Sequence, residues 1–507
     1  MDNKDFMGKY KTDVCLMFFF FILYILIYFP MCVRHGVALE EAIFPNRHLN
    51  VMLCNGRWGV YLFRVLFDCG EFLPYGAGIL AGLFMSGAIY LQTKIFGINK
   101  LFSQILYAVF YLGCTQWVYQ LCYSNQSHVL ALGFLCASAA VYFQVKPKGR
   151  ICTLAGSAIL LCCAISTYQT LILYYGVLMG AYLLLKCLKS SNGLCSVKDI
   201  MYAAGGGIVA LGGYYAIEFL LIQWIKPSPH TMYHVKAYQA TMRGDFRCVL
   251  DAPFLLQLRI MAHYFIKVPL CHILDAISNG YWVLVSIFIP ALILGVRVIY
   301  MYKFKSLLCI SFIAGIIIMP YVANAILLTS LPERAYVAEP LALASMWGVL
   351  IVTVHEKWLP IKILTVFGTV IFITAVCRVS TVARDEHWAW QRSKEEVLMM
   401  YIQAQQLANQ EGLKDCPIYV LGKQPICTEP LFDIDKVGFC MNQAYPNIIK
   451  DKVWTDYYFY YLRLPRLKRG EESDVERHKA VYSTMPAWPA DGSVRVSKNE
   501  IIIRIAP

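Results

Sequence analysis

Charged residues are scarce in this sequence, and their scarcity excludes an ordinary soluble domain. They make up 15% of the 507 residues, whereas soluble proteins carry roughly 25%. Hydrophobic residues account for 58%, and the mean hydropathy is +0.53. The sequence also has no P-loop, G-x-G-x-x-G fingerprint or G-x-S-x-G elbow in a credible context, so nothing in it indicates a nucleotide site or a serine nucleophile.

Metal-binding cysteine spacing is absent from the C-terminal tail, although the chain has 19 cysteines. Most of them lie inside apolar runs, where cysteine behaves as a small hydrophobic residue. The tail contains Cys416, Cys427 and Cys440, without C-x-x-C spacing. One disulfide within this group and three reduced thiols are both compatible with the sequence.

Long apolar runs are what the sequence has in abundance. A helix needs about 20 residues to cross the hydrocarbon of a membrane, so we predict about eleven transmembrane helices in a polytopic α-helical membrane protein. They occupy residues 14–33, 75–91, 102–119, 128–145, 151–166, 169–186, 201–222, 281–300, 306–328, 336–354 and 359–377. The first run is too long for a signal-peptide core and lacks a small-residue cleavage site, so we expect a retained helix.

Every second connection between these runs is short and basic. Its cations are Lys4, Lys9, Lys11, Lys94, Lys100, Lys146, Lys148, Arg150, Lys186, Lys189, Lys198, Arg297, Lys303, Lys305, Lys357 and Lys362. The positive-inside rule places the N-terminus and these connections in the cytoplasm. The loops 34–74, 223–280 and 329–335 and the tail from Arg378 then face outward. This distribution matters more than the net charge of +13, which alone would suggest nucleic acid.

Polar side chains within the apolar runs favour the outer side. Glu218 and Glu339 fall in the outer halves of their predicted spans, and Asn324 lies on the same side. A carboxylate at the centre of a membrane costs about 2.5–3.5 kcal/mol, so such groups usually face water or a partner. We therefore predict a water-filled cavity that opens to the outside.

The outward loop 223–280 contains a basic stripe. Arg259, His263 and Lys267 recur every four residues on an apolar helix, a pattern typical of a helix in the headgroup plane. The stripe fits an anchor for anionic lipids, or a helix beside the access route of a lipid-phosphate substrate. Arg334, just before the tenth span, fits a snorkelling interface residue or a phosphate ligand.

The character of the sequence changes after the last span. An amphipathic helix is predicted from residue 383 to Gly412. The residues expected on its apolar face are Val397, Met400, Ile402 and Leu407. Residues 416–422 then predict a buried strand, and residues 492–507 predict a hairpin that turns near Lys498-Asn499.

These patterns predict two domains. Residues 1–380 form a transmembrane domain, in which the outward loops carry the functional residues. Residues 381–507 form a small extracytoplasmic α/β domain. The run Gly205–Gly207 lies inside a span, where close helix packing is the expected role.

The first outward loop combines an acidic pair with several arginines. It contains Glu40 and Glu41, followed by Arg57 and Arg64. One carboxylate can accept a proton from an attacking hydroxyl, while guanidinium groups stabilise a departing phosphate. A charged tether between two helices is the plainer interpretation. Together with the outward cavity and the basic stripe, the loop favours glycosyl transfer from a polyprenyl-phosphate sugar.

The chain resembles the Gtr-type membrane glucosyltransferases, the serotype-converting enzymes that modify bacterial O-antigen and belong to the GT-C class. The matching residues are Glu40-Glu41, Asn55-Gly56-Arg57-Trp58, Ser166-Thr167-Tyr168-Gln169, Pro332-Glu333-Arg334 and Pro417-Ile418-Tyr419-Val420-Leu421-Gly422. Their order and spacing extend the resemblance over nearly the full length. The acidic pair is typically two aspartates in the family, so two glutamates are a departure that leaves open which one acts.

The resemblance implies a GT-C-like fold and an inverting transfer of a hexosyl group, glucosyl in this family. The donor would be undecaprenyl phosphate carrying the sugar, and the acceptor a glycan such as the O-antigen of lipopolysaccharide. Transfer would take place on the outer face of the bacterial cytoplasmic (inner) membrane. The expected partners are these lipid-linked substrates and membrane lipids, without nucleic acid, and the oligomeric state is left open.

The resemblance also implies roles for individual residues. Either Glu40 or Glu41 would act as the base. The expected phosphate ligands are Arg57, Arg334, Arg64 and Lys236. The expected contacts to sugar or acceptor are His128, Tyr168, Gln169, Glu218 and Glu339. A divalent cation, Mg²⁺ or Mn²⁺, assists some relatives, but a single acidic pair makes no strong case for one here.

Two other functions fit parts of the sequence. Intramembrane Glu218 and Glu339 are compatible with a transporter or flippase of lipid-linked sugars, although the sequence shows no internal repeat and a carrier has no evident need for a folded outward domain. A polysaccharide polymerase or ligase with a diphosphate-linked donor is the other alternative.

Overall fold

The computed structural model describes two compact units. Its described residues are 3–33, 49–68, 76–114, 116–121, 126–145, 150–190, 194–229, 232, 253–267, 270–271, 282–302, 306–327, 335–353, 361–413, 416–421, 468–469 and 475–504. Those up to Thr381 form the membrane unit, and those from Val382 form the C-terminal unit. Each unit is described by itself.

Helices make up the described part of the membrane unit. They are α1 (Asn3–Val33), α2 (Leu49–Cys54), α3 (Trp58–Phe63), α4 (Gly76–Phe96), α5 (Leu101–Leu112), α6 (Trp117–Leu121), α7 (Ser127–Val145), α8 (Arg150–Thr167), α9 (Leu171–Lys189), α10 (Val197–Ile225), α11 (Phe254–Ala262), α12 (Trp282–Val285), α13 (Phe288–Tyr302), α14 (Ser306–Ile318), α15 (Val322–Leu327), α16 (Glu339–Thr353) and α17 (Ile361–Gln410). A π-helical turn follows α3 at Arg64–Asp68 and another follows α11 at His263–Lys267. A 3₁₀ turn, Met319–Tyr321, joins α14 to α15.

Eight segments among the described residues are long and apolar enough to cross a membrane, so the chain is a polytopic helical membrane protein. They are Thr12–Val33, Gly76–Phe96, Ser127–Val145, Leu171–Lys189, Val197–Ile225, Val283–Tyr302, Leu307–Leu327 and Lys362–Arg384. The other three predicted spans correspond to the shorter apolar helices α5, α8 and α16. The number of crossings above eight stays a prediction.

Helix α5 ends at Leu112, before the end of the span predicted at residues 102–119. Residues from other helices stabilise this C-terminal end. The Tyr28 hydroxyl donates to the carbonyl oxygens of Leu112 (2.6 Å) and Cys114 (3.3 Å). The Trp117 indole N–H donates to a carbonyl of the last turn of α5 over 2.8 Å. Because unpaired carbonyls at a helix end are costly in an apolar environment, these bonds allow the chain to turn there.

Close approach and side-chain interdigitation hold the helices together. Helix α4 packs against α1, α7 and α5, and α7 packs against α8. A Cβ atom on Gly82 of α4 would lie 2.6 Å from Cε1 of Tyr24, so only glycine allows α1 to approach this closely. Helix α9 lies among α7, α14 and α16, and most of its surface is buried.

A fully buried polar network crosses this helical core. Gln92 donates to Ser138 (3.1 Å) and Tyr174 (2.7 Å) and accepts from Tyr107 (2.9 Å). The hydroxyls of Tyr111 and Tyr174 are 2.7 Å apart. Every hydroxyl in the network therefore has a partner, as burial away from water requires.

A second set of polar contacts lies near the last turn of α7 and the first turn of α8. Gln144 donates to the carbonyl of Tyr202 (2.6 Å) and accepts from Tyr175 (2.6 Å), while the Thr153 and Tyr202 hydroxyls are 2.9 Å apart. Buried polar side chains therefore also lie near this end of the helices. The preference of polar side chains for the outer side stays a prediction.

Helix α17 is one continuous helix of 50 residues, where the sequence predicted a span and a separate amphipathic helix. It ends at Gln410, and the predicted stop residue Gly412 follows in a turn with φ of +67°, where the Leu413 N–H donates to the carbonyl of Ala408 over 2.8 Å. The buried stripe of its last turns is Met400, Ala404 and Ala408. The expected apolar face was partly wrong, since Ile402 is exposed.

A four-stranded sheet forms the rest of the described C-terminal unit. Its strands are β1 (Pro417–Leu421), β2 (Lys468–Arg469), β3 (Val494–Ser497) and β4 (Glu500–Arg504), in the order β2-β1-β4-β3. Strand β1 is parallel to its neighbours β2 and β4, and β3 and β4 form an antiparallel hairpin. Lys498 and Asn499 both have positive φ, as a two-residue hairpin turn requires, so the predicted hairpin is confirmed. One helix, α18 (Val475–Ser483), lies between β2 and β3 in the chain and packs on Tyr419 and Ile502.

Candidate functional site

The turn Asn55–Trp58 is the centre of the candidate site. It follows α2 and leads directly into α3. Gly56 has φ +76°, and its N–H donates to the carbonyl of Leu53 over 3.0 Å, while Arg57 N–H donates to the carbonyl of Met52 over 2.8 Å. These bonds end α2 in the manner of a glycine C-cap and fix the direction in which Arg57 leaves the helix.

Side chains from two distant helical segments hold this turn. Gln169 donates to the carbonyl of Asn55 (2.5 Å) and Tyr214 donates to the carbonyl of Gly56 (2.7 Å). Gln169 Nε2 also lies 3.4 Å from the Tyr214 hydroxyl. A Cβ atom on Gly56 would overlap that hydroxyl and lie 3.2 Å from Glu218 Oε1. The turn, the segment 166–169 and helix α10 therefore meet at Gly56.

Arg57 is held from two sides by neighbouring side chains. Its Nη1 donates to Gln126 Oε1 over 3.1 Å, and its Cζ lies 4.7 Å from the centroid of the Tyr168 ring. Among the described residues, Arg57 has no acidic partner within 4.0 Å and is half-buried. A guanidinium group with this support keeps donors and charge available for an anion, which it can bind through two parallel N–H bonds.

Helix α3 extends the site toward α7 and α8. The Trp58 and Tyr214 rings stack at 6.4 Å, and the Phe63 ring meets the His128 ring edge-on at 5.3 Å. His128 is buried at the start of α7. Arg64 follows Phe63 and is only 3% exposed, so it is much less accessible than Arg57.

A thiol lies beside the Glu218 carboxylate. Cys54, the last residue of α2, has its Sγ 3.6 Å from the sulfur of Met232. Burial and the negative charge of Glu218 raise the pKa of the Cys54 thiol. The thiol is therefore neutral at physiological pH and packs as an apolar group.

The structure brings five predicted site residues together: Arg57, Tyr168, Gln169, Glu218 and, through Phe63, His128. Glu339 is buried in the first turn of α16. The expected site residues outside the described residues are Glu40, Glu41, Lys236 and Arg334.

Arg259, His263 and Lys267 are all exposed, on α11 and the π turn that follows it. The described part of the chain has no group of three or more His, Cys, Asp or Glu side chains able to hold a metal ion.

Two residues of the site were missed by reasoning from the sequence. Gln126 stood in a polar segment without a distinguishing pattern. Tyr214 stood in an apolar run, and its only signal was its position four residues before Glu218, on the same face of the helix. Contacts spanning 69 and 158 residues make both of them part of the site.

One family model matches this chain. It is described as Glucosyl transferase GtrII, and it matches residues 40–355, which include the turn Asn55–Trp58, Gln126, the segment 166–169 and Glu218. Comparison with curated proteins and with solved structures gives no match. The match confirms the resemblance to Gtr-type glucosyltransferases.

Proposed function

Since the chain belongs to the GtrII glucosyl transferase family and is thus a membrane glycosyltransferase, we propose that it transfers a hexosyl group from a polyprenyl-phosphate donor. The sugar is glucose, as the family description suggests. The acceptor is a surface glycan such as the O-antigen of lipopolysaccharide, and transfer inverts the anomeric configuration. Donor, acceptor and stereochemistry all rest on the resemblance and on the site.

The support of Arg57 is the observation that carries the proposal. A polyprenyl-phosphate sugar keeps its tail in the bilayer, and its phosphate gains negative charge as the bond to the anomeric carbon breaks. Arg57 can bind that phosphate, because the Tyr168 ring and the Gln126 carbonyl orient its guanidinium group and no carboxylate within reach in the described residues neutralises it.

The reaction is a single displacement. The acceptor hydroxyl oxygen attacks the anomeric carbon, and the electron pair of the breaking C–O bond moves to the phosphate oxygen. The proton of the hydroxyl passes to Glu40 or Glu41, the acidic pair of the same loop. One displacement from the opposite face gives inversion, and the products are the extended glycan and polyprenyl phosphate. No step is assigned to a divalent cation.

Glu218 and Gln169 supply polar groups beside the turn for hydroxyls of the sugar or acceptor. Both lie within reach of Gly56, one on α10 and one before α9. His128 and Glu339 are the further candidates for such contacts. We place the site on the outer face of the bacterial inner membrane, because the basic connections assign the opposite side to the cytoplasm.

Replacement of the acidic pair tests the catalytic assignment. We expect Glu40→Gln combined with Glu41→Gln to abolish transfer of labelled glucose from polyprenyl phosphate in membranes, whereas one of the single variants retains activity. The matched control is Glu395→Gln, at an exposed position of α17, which should keep full activity. Full activity of the double variant would refute the assignment of the base.

A further inference from the structure

The contact with Arg57 fixes the orientation of the Gln126 side-chain amide. The amide oxygen faces the guanidinium group and accepts from Nη1 over 3.1 Å. The reverse orientation would set the NH₂ group of the amide against a group that has only donors. Nε2 of Gln126 must therefore point to another partner beside Arg57.

That partner is missing among the described residues. Gln126 Nε2 is enclosed and has no hydrogen-bond partner in the part of the chain that the structure describes. The indole Nε1 of Trp58, the residue after Arg57, is enclosed and unpartnered in the same sense. Buried N–H donors are nearly always paired in native proteins, so the unpaired donor of the amide that contacts the Arg57 guanidinium group indicates a place for an acceptor.

We propose that Gln126 is a substrate-binding residue, whose amide nitrogen donates to the same phosphate group that Arg57 binds. The proposal rests on the proposed function, because it identifies that phosphate as the one in the polyprenyl-phosphate donor and product. Phosphate oxygens can accept several hydrogen bonds, whereas one guanidinium group reaches at most two of them in parallel. A neutral amide adds a donor without adding charge, so it strengthens binding while Arg57 supplies the electrostatic attraction.

Binding of polyprenyl phosphate to the purified full-length protein in detergent tests this directly. The variant Gln126→Leu removes the amide and keeps the approximate volume of the side chain. The matched control is Thr170→Val, in the turn before α9, where the Thr170 hydroxyl is also enclosed and unpartnered among the described residues. The dissociation constant of polyprenyl phosphate and the melting temperature of the ligand-free protein are measured for both variants.

We expect Gln126→Leu to weaken binding of polyprenyl phosphate by about tenfold or more, the value of a hydrogen bond to a charged group. Thr170→Val should bind as the wild type does. The melting temperature of ligand-free Gln126→Leu should fall by less than about 5 °C, because the bond that the variant loses among the described residues is the part-buried one from Arg57 Nη1 to the amide oxygen.

Three results would overturn the inference. Unchanged affinity of Gln126→Leu would show that the amide does not reach the phosphate. A fall of more than about 5 °C in its ligand-free melting temperature would assign Gln126 a structural role instead. If the wild-type protein itself does not bind polyprenyl phosphate, the proposed donor is wrong and the inference is lost with it.

Discussion

Gly56→Ala is the substitution through which the geometry of the site can be tested most sharply. Gly56 has φ +76°, a conformation that costs an L-residue about 1–2 kcal/mol. The added methyl group would also overlap the Tyr214 hydroxyl and lie 2.6 Å from Gln169 Nε2. Overpacking of this kind costs about 1–3 kcal/mol, so the turn must shift or lose both hydrogen bonds.

A shift of the turn should affect transfer more than folding. Arg57 follows Gly56 directly, and a displacement of about 1 Å at a substrate-positioning residue lowers the rate by about 100-fold. The combined cost of about 2–5 kcal/mol should also lower the melting temperature of the protein. Transfer of labelled sugar in membranes and thermal unfolding in detergent measure the two effects separately.

Two glycines of the same chain provide controls for Gly56→Ala. Gly97 has φ +70° and no atom of the described residues within 4 Å of a Cβ, so Gly97→Ala reports the backbone cost alone. Gly212, on α10, has an ordinary helical φ and equally open space, so Gly212→Ala should be neutral. Adding Tyr214→Phe to Gly56→Ala should restore part of the activity by removing the overlapped oxygen. If Gly56→Ala and Gly97→Ala retain equal activity, the crowding at Gly56 does not matter and the reasoning fails.

Three further predictions concern the surroundings of the turn and the helical core. Tyr168→Leu removes the ring beneath Arg57 and should raise the KM for the donor several-fold, whereas Tyr168→Phe should not, since the cation–π contact is worth about 0.5–1 kcal/mol; equal KM values would contradict this. Gln92→Leu leaves buried hydroxyls unpaired and should destabilise the protein by about 1–3 kcal/mol in thermal unfolding, and an unchanged midpoint would count against the network. The raised pKa of the Cys54 thiol means less thiolate at pH 8, so alkylation followed by mass spectrometry should find it slow to react and faster after Glu218→Gln. No acceleration in that variant would disprove the electrostatic contribution.

Local sequence patterns predicted the elements whose causes are local. Apolar runs located the eight candidate spans among the described residues, and Lys498-Asn499 located a hairpin because both residues tolerate positive φ. The continuity of α17 was also present in the sequence, which has neither proline nor glycine between Gly368 and Gly412. A change from apolar to charged composition was instead interpreted as a break between two helices.

Features with distant causes could not be predicted. Helix α5 can end at Leu112 because the hydroxyl of Tyr28, 84 residues away, donates to the carbonyl of Leu112 and so caps the helix. Gln126 and Tyr214 join the site only through the folded arrangement of α7 and α10 around one turn. The resemblance to a family supplied Arg57, Tyr168 and Gln169 as separate motifs, and the structure supplies the contacts between them.

The placement of charge around Gly56 explains why the turn itself is important. Arg57 and Glu218 both lie beside it, yet among the described residues they form no ion pair, although opposite charges in a poorly solvated region attract strongly. The contacts of each show the reason: Arg57 is directed toward Tyr168 and Gln126, while Glu218 and the Tyr214 hydroxyl both lie where a Cβ atom on Gly56 would point. The backbone of the turn thus keeps a cation and an anion apart. An arginine neutralised by Glu218 would lose its attraction for phosphate, so a turn that directs the two side chains apart preserves the charge that the proposed reaction needs.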